Sequence, residues 1–486
     1  MVKVEDTLES KNSSKAEFKQ ARFSANYEYI IDSNDNRVEY NDSRLVYIEP
    51  SVINHYGRRL VENFYNTQGK NIRFADNTTS DTFQYAKKIC SGRECLPLMA
   101  IAGAVLKDIK ENRSKDEISI YRLALEQEGP CQNGGWPILW EIFAKRLKIK
   151  NVIFSGSVYK SKNYMGLSLE IYMTQVLLYM IGHFLTEVKN ALYIVASNPR
   201  EAMEIFEKKT DELILKVKDR KKTLKVGLKE WAMEVSKIPL KAKVEDTPKI
   251  LILGGLNLFF THYPYVEFFM NNGIIPKVVD LTEPTNWVIY EYIMGYNFKV
   301  GRITSKKQLS VPMLFLSMIF RKHRRDALKA ILARLSMIIV GFYIKKYRNI
   351  IGKMGLLFDE NISFKALIEE SRKYVSCFVF NESITTTGRF IQTIKSGYYD
   401  GIINLGSFNC QPAMNSQAII RPLANKSEMP YAAIDCEGPW ISTNHLRLLE
   451  TIAVQVKRSR EKKKLKKKLN EKSLNFIFLN FLFYHG

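Results

Sequence analysis

Cysteine and histidine are scarce in this chain, with six of each among 486 residues. So few cysteines cannot staple a protein of this length with disulfides. No run approaches the eighteen or so apolar residues needed to cross a bilayer. The nearest stretches, residues 311–320 and 336–344, are short and flanked by Arg and Lys. Residues 1–19 are charged and polar and lack the apolar core of a signal peptide. Together these absences predict a reducing, cytoplasmic setting in which thiols stay available for metal. Phosphate-loop signatures are also missing. There is no Gly-x-x-x-x-Gly-Lys-Ser/Thr, and Gly254-Gly255 does not continue into Gly-x-Gly-x-x-Gly. The chain is therefore not expected to hydrolyse ATP alone, and Gly254-Gly255 reads as a tight turn.

Acidic residues are the minority charge, 50 against 73 Lys and Arg, which gives a net +23. Residues 457–472 hold ten basic residues and two acidic ones, a net +8, and a smaller cluster comprises Arg321, Lys322, Arg324 and Arg325. Both read first as solvated helix surface, with a field that attracts phosphates or acidic proteins as the alternative.

Alternating strand-like and helical stretches predict an α/β chain of several domains, since 486 residues exceed what one core holds. A polar arm over 1–43, rich in Ser, Asn, Lys and Glu, is expected to be weakly ordered. A first α/β domain spans 44–158, with strands at 45–48, 71–74, 119–125 and 151–155 and helices at 52–68 and 96–111. A helical segment follows over 159–247, with helices at 167–188 and 199–218. The second α/β domain begins at 248–304 with strands 249–254 and 275–279 and a helix over 265–272. After a helical insertion at 305–372 it resumes over 373–457, with strands at 375–380, 401–405 and 431–435 and helices at 387–396 and 415–423. A basic tail occupies 458–486 and ends in the apolar stretch 476–484, too short to span a membrane.

Three cysteines stand in loop-like settings beside prolines: Glu94-Cys95-Leu96-Pro97, Gly129-Pro130-Cys131 and Cys410-Gln411-Pro412. They lie too far apart for a local metal finger, so only a complete fold can gather them. Each is expected at a strand or helix end, where α/β sheets place their sites. Zinc is the weaker reading, because a structural zinc wants four closed ligands and no histidine (55, 183, 262, 323, 445, 485) lies near a cysteine in sequence. Three unliganded structural cysteines are the bland alternative. Of the rest, Cys377 reads as a core residue within a strand, Cys436 as a reserve ligand, and Cys90, which ends a helical pattern five residues before Cys95, as the other candidate for a fourth ligand. Glu94 and Asp435 are the carboxylates expected beside the site, in loop-fixing roles or as proton donors.

The segments Ser91-Gly92-Arg93-Glu94-Cys95-Leu96-Pro97, Glu128-Gly129-Pro130-Cys131 and Leu405-Gly406-Ser407-Phe408-Asn409-Cys410-Gln411-Pro412 resemble those of the 2-hydroxyacyl-CoA dehydratase and benzoyl-CoA reductase superfamily. The likeness covers about residues 45–457 and is nearest to the carboxyl-terminal region of the large CoA-substrate-specific enzyme activases and their stand-alone relatives. It implies two Rossmann-like parallel-sheet domains with helical insertions, and an oxygen-sensitive 4Fe-4S type iron-sulfur cluster on Cys95, Cys131 and Cys410. It also implies low-potential electrons from a separate ATP-dependent activator with an actin-like ATPase, spent on a CoA thioester or other small substrate, and a homo- or heterodimer. Two departures stand out. The actin-like ATPase signature is missing, and Gln132-Asn133-Gly134-Gly135-Trp136 follows Cys131 where relatives continue with a basic and an aromatic residue. A non-catalytic electron-transfer or scaffold subunit is one alternative. A basic binding protein for nucleic acid or an acidic partner, with structural cysteines, is another; nucleic acid is the less expected partner.

Overall fold

The computed structural model describes residues 18–50, 54–123, 131–155, 164–219, 222–254, 262–279, 283, 286–287, 290, 324–358, 363–376 and 381–484, with side chains of the last helix to Leu469. The protein is α/β, with two four-stranded, all-parallel sheets flanked by helices. The first sheet comprises β4 (Leu45–Glu49), β5 (Ile72–Phe74), β6 (Ile118–Arg122) and β7 (Val152–Ser155) in the order β5-β4-β6-β7. The second comprises β8 (Lys249–Leu253), β9 (Ile275–Val278), β10 (Gly401–Ser407) and β11 (Tyr431–Cys436) in the order β9-β8-β10-β11. Numbered within its own half, each sheet therefore runs 2-1-3-4, with its topological switch point between strands 1 and 3.

Central strands of such sheets are covered on both faces, so their sequences are continuous apolar runs. Every residue of β6, β8 and β10 is buried, and Ile120, Ile250, Leu251, Ile252, Ile402 and Ile403 have no exposed surface. One contiguous apolar core runs through both sheets.

In the first half, α1 (His55–Thr67) connects β4 to β5, and α2 (Ser80–Ala86) with α3 (Leu96–Glu111) connects β5 to β6. Thr79 and Thr82 form a reciprocal capping box at α2. Helix α4 (Trp136–Leu147) leads to β7. A helical region follows: α5 (Leu169–Val195), capped by Ser168, then α6 (Pro199–Lys216), whose proline sits in the first turn, and α7 (Thr223–Val235). Helix α5 packs on both α1 and β9, which joins the two halves. At the α1 crossing, Gly182 comes so close to Gly57 that a Cβ would lie 2.1 Å from its amide nitrogen. Farther along α5, buried Glu187 pairs with Lys277 of β9 and accepts from the Phe358 amide at 2.7 Å.

The second half continues with α8 (Tyr263–Asn271), α9 (Arg324–Gly352), α10 (Phe364–Ser371), α11 (Ser383–Ser396), α12 (Gln411–Asn425) and α13 (Thr443–Tyr484). Helices α9 and α10 fall where a helical insertion is expected, and residues 305–323 lie outside the described residues. Helix α13 lays Leu449, Ile452, Ala453 and Val456 on β10 and β11 at helical spacing. Its next turn is pinned by buried Asp400, which pairs with Arg460 and Lys463, both at 3.0 Å. No helix among the described residues is long and apolar enough to cross a membrane.

One expectation is corrected here. The chain is ordered well before Arg44, for β1 (Arg22–Phe23), β2 (Ile30–Ile31) and β3 (Arg37–Val38) form an antiparallel ribbon. Ile30 and Val38 are buried in the main core, and Asp32 folds the intervening turn by accepting from the Asn34 and Asn36 amides, both at 2.8 Å. Ser33 and Asn151 exchange side-chain-to-amide bonds at 3.1 and 2.8 Å, which docks the ribbon beside β7. Two apolar anchors and an Asx turn suffice, and a polar composition conceals both.

Candidate functional site

Each of the three cysteines begins a helix. Cys95 is the N-cap of α3 and Cys410 the N-cap of α12, with Pro97 and Pro412 in the first turns where a missing N–H costs nothing. Cys131 immediately precedes the 3-10 turn Gln132–Gly135 that runs into α4. All are free thiols; Cys95 is buried, and Cys131 and Cys410 are half-buried.

Topology relates these positions. Helix α4 joins strands 3 and 4 of the first half, and α12 joins strands 3 and 4 of the second, so Cys131 and Cys410 occupy equivalent places. Helix α3 enters strand 3 of the first half, and α11 enters strand 3 of the second. The N-cap of α3 is Cys95, and the N-cap of α11 is Glu382. Four helix N-termini, two from each half, therefore carry Cys95, Cys131, Glu382 and Cys410. Each contributes partial positive charge, a setting that favours an anion.

The side chains meet across the halves. Burial pushes the Cys95 thiol up to about 11, and the facing Glu382 carboxyl adds to the rise. Against it stand the Leu98 amide and the Trp136 indole N–H, both turned to the sulfur. Burial pushes the Cys410 thiol still further up, followed by Glu382, with the Ala413 amide opposing and Cys131 and Cys95 adding to the rise. Cys410 thus lies within electrostatic reach of both other cysteines. Buried Trp136 has no oxygen or nitrogen acceptor for its Nε1 among the described residues. Gln132 Oε1 accepts from the Cys95 amide at 2.8 Å and ties the Cys131 loop to α3. Gln132, in the segment that follows Cys131, thus joins two of the cysteine loops.

Cys410, Glu382 and Ser407 line a narrow recess at the carboxyl end of β10, partly open to solvent. The Ser407 hydroxyl is buried there without a partner among the described residues. Phe83 of α2 meets Trp440, in the loop after β11, edge to face at 5.8 Å and closes the two halves over one another. Among the described residues, no group of three or more His, Cys, Asp or Glu is drawn closely enough to hold a metal ion.

The remaining candidates sort by contact. Cys90 is within reach of Cys95, and burial, then Glu94 and Cys95, pushes its thiol up to about 12. Cys436 ends β11 fully buried, with its sulfur donating to the Tyr265 hydroxyl at 3.5 Å. Cys377 and most of the expected strand at 375–380 lie outside the described residues. Glu94 accepts from the Ser91 and Gly92 amides, both at 2.9 Å; these bonds overcome burial and leave its carboxyl below the ordinary range. That is a loop-fixing role. Asp435 accepts from Gln417 at 2.9 Å. The carboxyl that faces the sulfurs is Glu382, a residue the sequence gives no reason to single out.

A second polar cluster lies at the switch point of the first sheet. Glu49 ends β4, Arg122 ends β6, and the two pair deep in the fold. Gln175 donates to Glu49 at 2.9 Å and accepts from Arg122 at 3.2 Å and from the Tyr65 hydroxyl at 2.6 Å. Arg122 also lies over the Tyr47 and Tyr65 rings. Burial pushes Glu49 up despite Arg122 and Gln175. Compared with protein-family models and with curated proteins, the chain matches none.

Proposed function

We propose that Cys95, Cys131 and Cys410 hold an iron-sulfur cluster of the 4Fe-4S type, and that the protein uses low-potential electrons from a separate ATP-driven activator for reductive or radical chemistry on a CoA thioester or another small substrate. The observation that carries this reading is that Cys410 of the second half lies within electrostatic reach of Cys95 and Cys131 of the first. The local chemistry is consistent with it. Helix N-termini favour thiolates and the negative charge of a thiolate-ligated group. The Trp136 N–H and the Leu98 and Ala413 amides are turned to the sulfurs, and such donors tune a bound cluster.

A cluster in this place would supply one-electron reduction and, with three protein thiolates, an iron open to a substrate oxygen. The chain's own residues do the positioning. Gln132 holds the Cys131 loop against α3, and Glu94 folds the turn that presents Cys95. Glu382 sets a carboxyl within electrostatic reach of Cys95 in one half and Cys410 in the other.

The test is iron and acid-labile sulfide on anaerobically purified protein, with its electron paramagnetic resonance spectrum. About four irons per chain, lost in Cys410→Ala, are expected. Zinc, or no metal, in the wild-type protein overturns the reading.

A further inference from the structure

Helix α13 has two parts that differ in every respect except backbone. Its first turns pack on the second sheet, and the last tether is Lys463, which donates to the Gly397 and Tyr399 carbonyls, both at 2.6 Å. From Lys464 to Leu469 every residue is exposed. Six consecutive residues cover more than one full turn, so no face of the helix touches the protein there. Leu465 and Leu469, i and i+4, are 63% and 66% exposed. The helix continues to Tyr484, which makes a rod of about 30 Å beyond its tether. Along that rod the sequence is first basic, with Lys464, Lys466, Lys467, Lys468 and Lys472, and then aromatic and aliphatic from Phe476 to Tyr484, interrupted only by Asn480.

We infer that the outer half of α13 docks on an anionic lipid surface, with its lysines among the headgroups and its aromatic end at the acyl boundary. The order of the two segments selects this occupant. A second copy of the chain would bring one run of lysines against another in a protein of net charge +23. Nucleic acid would match the lysines and leave eight apolar residues in water. An anionic membrane satisfies both parts. The apolar segment, about 13 Å long as a helix, seats in one leaflet and cannot cross the hydrocarbon core of about 30 Å. Docking is independent of whether the cysteines hold a cluster.

The experiment is co-flotation of the full chain with vesicles of phosphatidylcholine alone or with about 30% phosphatidylserine. Binding only to the anionic vesicles, weakened by salt, is expected. Lys464→Gln/Lys467→Gln/Lys468→Gln should weaken it about a hundredfold, since each basic residue at such a surface contributes about fivefold. Phe478→Asp/Phe481→Asp should abolish it. All five positions follow the tether at Lys463 in the chain, so circular dichroism and the thermal midpoint should stay unchanged. No flotation with either vesicle, equal flotation with both, or insensitivity to the lysine changes overturns the proposal; so does binding to duplex DNA at concentrations where anionic vesicles do not bind.

Discussion

The metal-free protein should resist thiol chemistry at Cys95. Burial, reinforced by Glu382, moves this thiol from an ordinary 9.0 to about 11. At neutral pH its thiolate fraction is then about a hundredfold below that of an ordinary cysteine. Iodoacetamide, followed peptide by peptide in the mass spectrometer, should alkylate Cys95 at least about a hundredfold more slowly than a free thiol. The rate should climb about tenfold per pH unit and level only near pH 11. Stability carries the same signature. The folded state holds the proton more tightly than the unfolded chain, so this contribution is complete below the ordinary thiol range and is lost as pH rises through about 11. Across that window the loss is about 3 kcal/mol, readable by urea unfolding at a series of pH values and absent in Cys95→Ala. Alkylation that levels at or below about pH 9, or that is fast at neutral pH, would refute the burial argument. For the same reason, any metal that these thiols took up would have to expel protons, and its loading should tighten as pH rises.

Removing the Glu382 charge should act on the cysteines from a distance. Glu382→Gln lowers the Cys95 and Cys410 thiols and shifts the alkylation profile of both toward neutral pH, while Cys90, which is raised by burial and then by Glu94 and Cys95, keeps its profile. Arg122→Ala leaves Glu49 buried beside Gln175 and should cost about 3–5 kcal/mol in chemical unfolding; Glu49→Leu/Arg122→Met should recover much of it. Gly182→Ala drives a methyl into the α1 backbone at Gly57 and should cost about 1–3 kcal/mol, measured as a lowered urea midpoint.

The parallel strands were legible because burial on both faces makes them largely apolar, as in Ile250–Leu253 and in Gly401–Ser407 apart from Asn404 and Ser407; both strands begin where their sequences predict. Helix α3 was legible to the residue, since Cys95-Leu96-Pro97 carries a first-turn proline and Glu111 ends the apolar spacing. The short α2, held by a capping box between threonines, and α4, whose exposed Ile138 and Ile142 blur its period, were not. The positions of the cysteines at helix starts could be read from adjacent prolines. The place of Glu382 could not, because the sequence puts the start of this helix at 387 where the structure begins it at Ser383, and its relation to Cys95 exists only once the two halves pack together.

That repeated order has a mechanical consequence. Cys95 and Cys131 belong to one sheet and Cys410 to the other, so any group that binds all three sulfurs is a clasp between two bodies. Hinging the halves apart would tear at least one bond, and a filled clasp would resist hinging by the energy of the bonds that must break. Neither half alone can carry the site, and a fragment that folds around a single sheet retains at most two of its sulfurs or one.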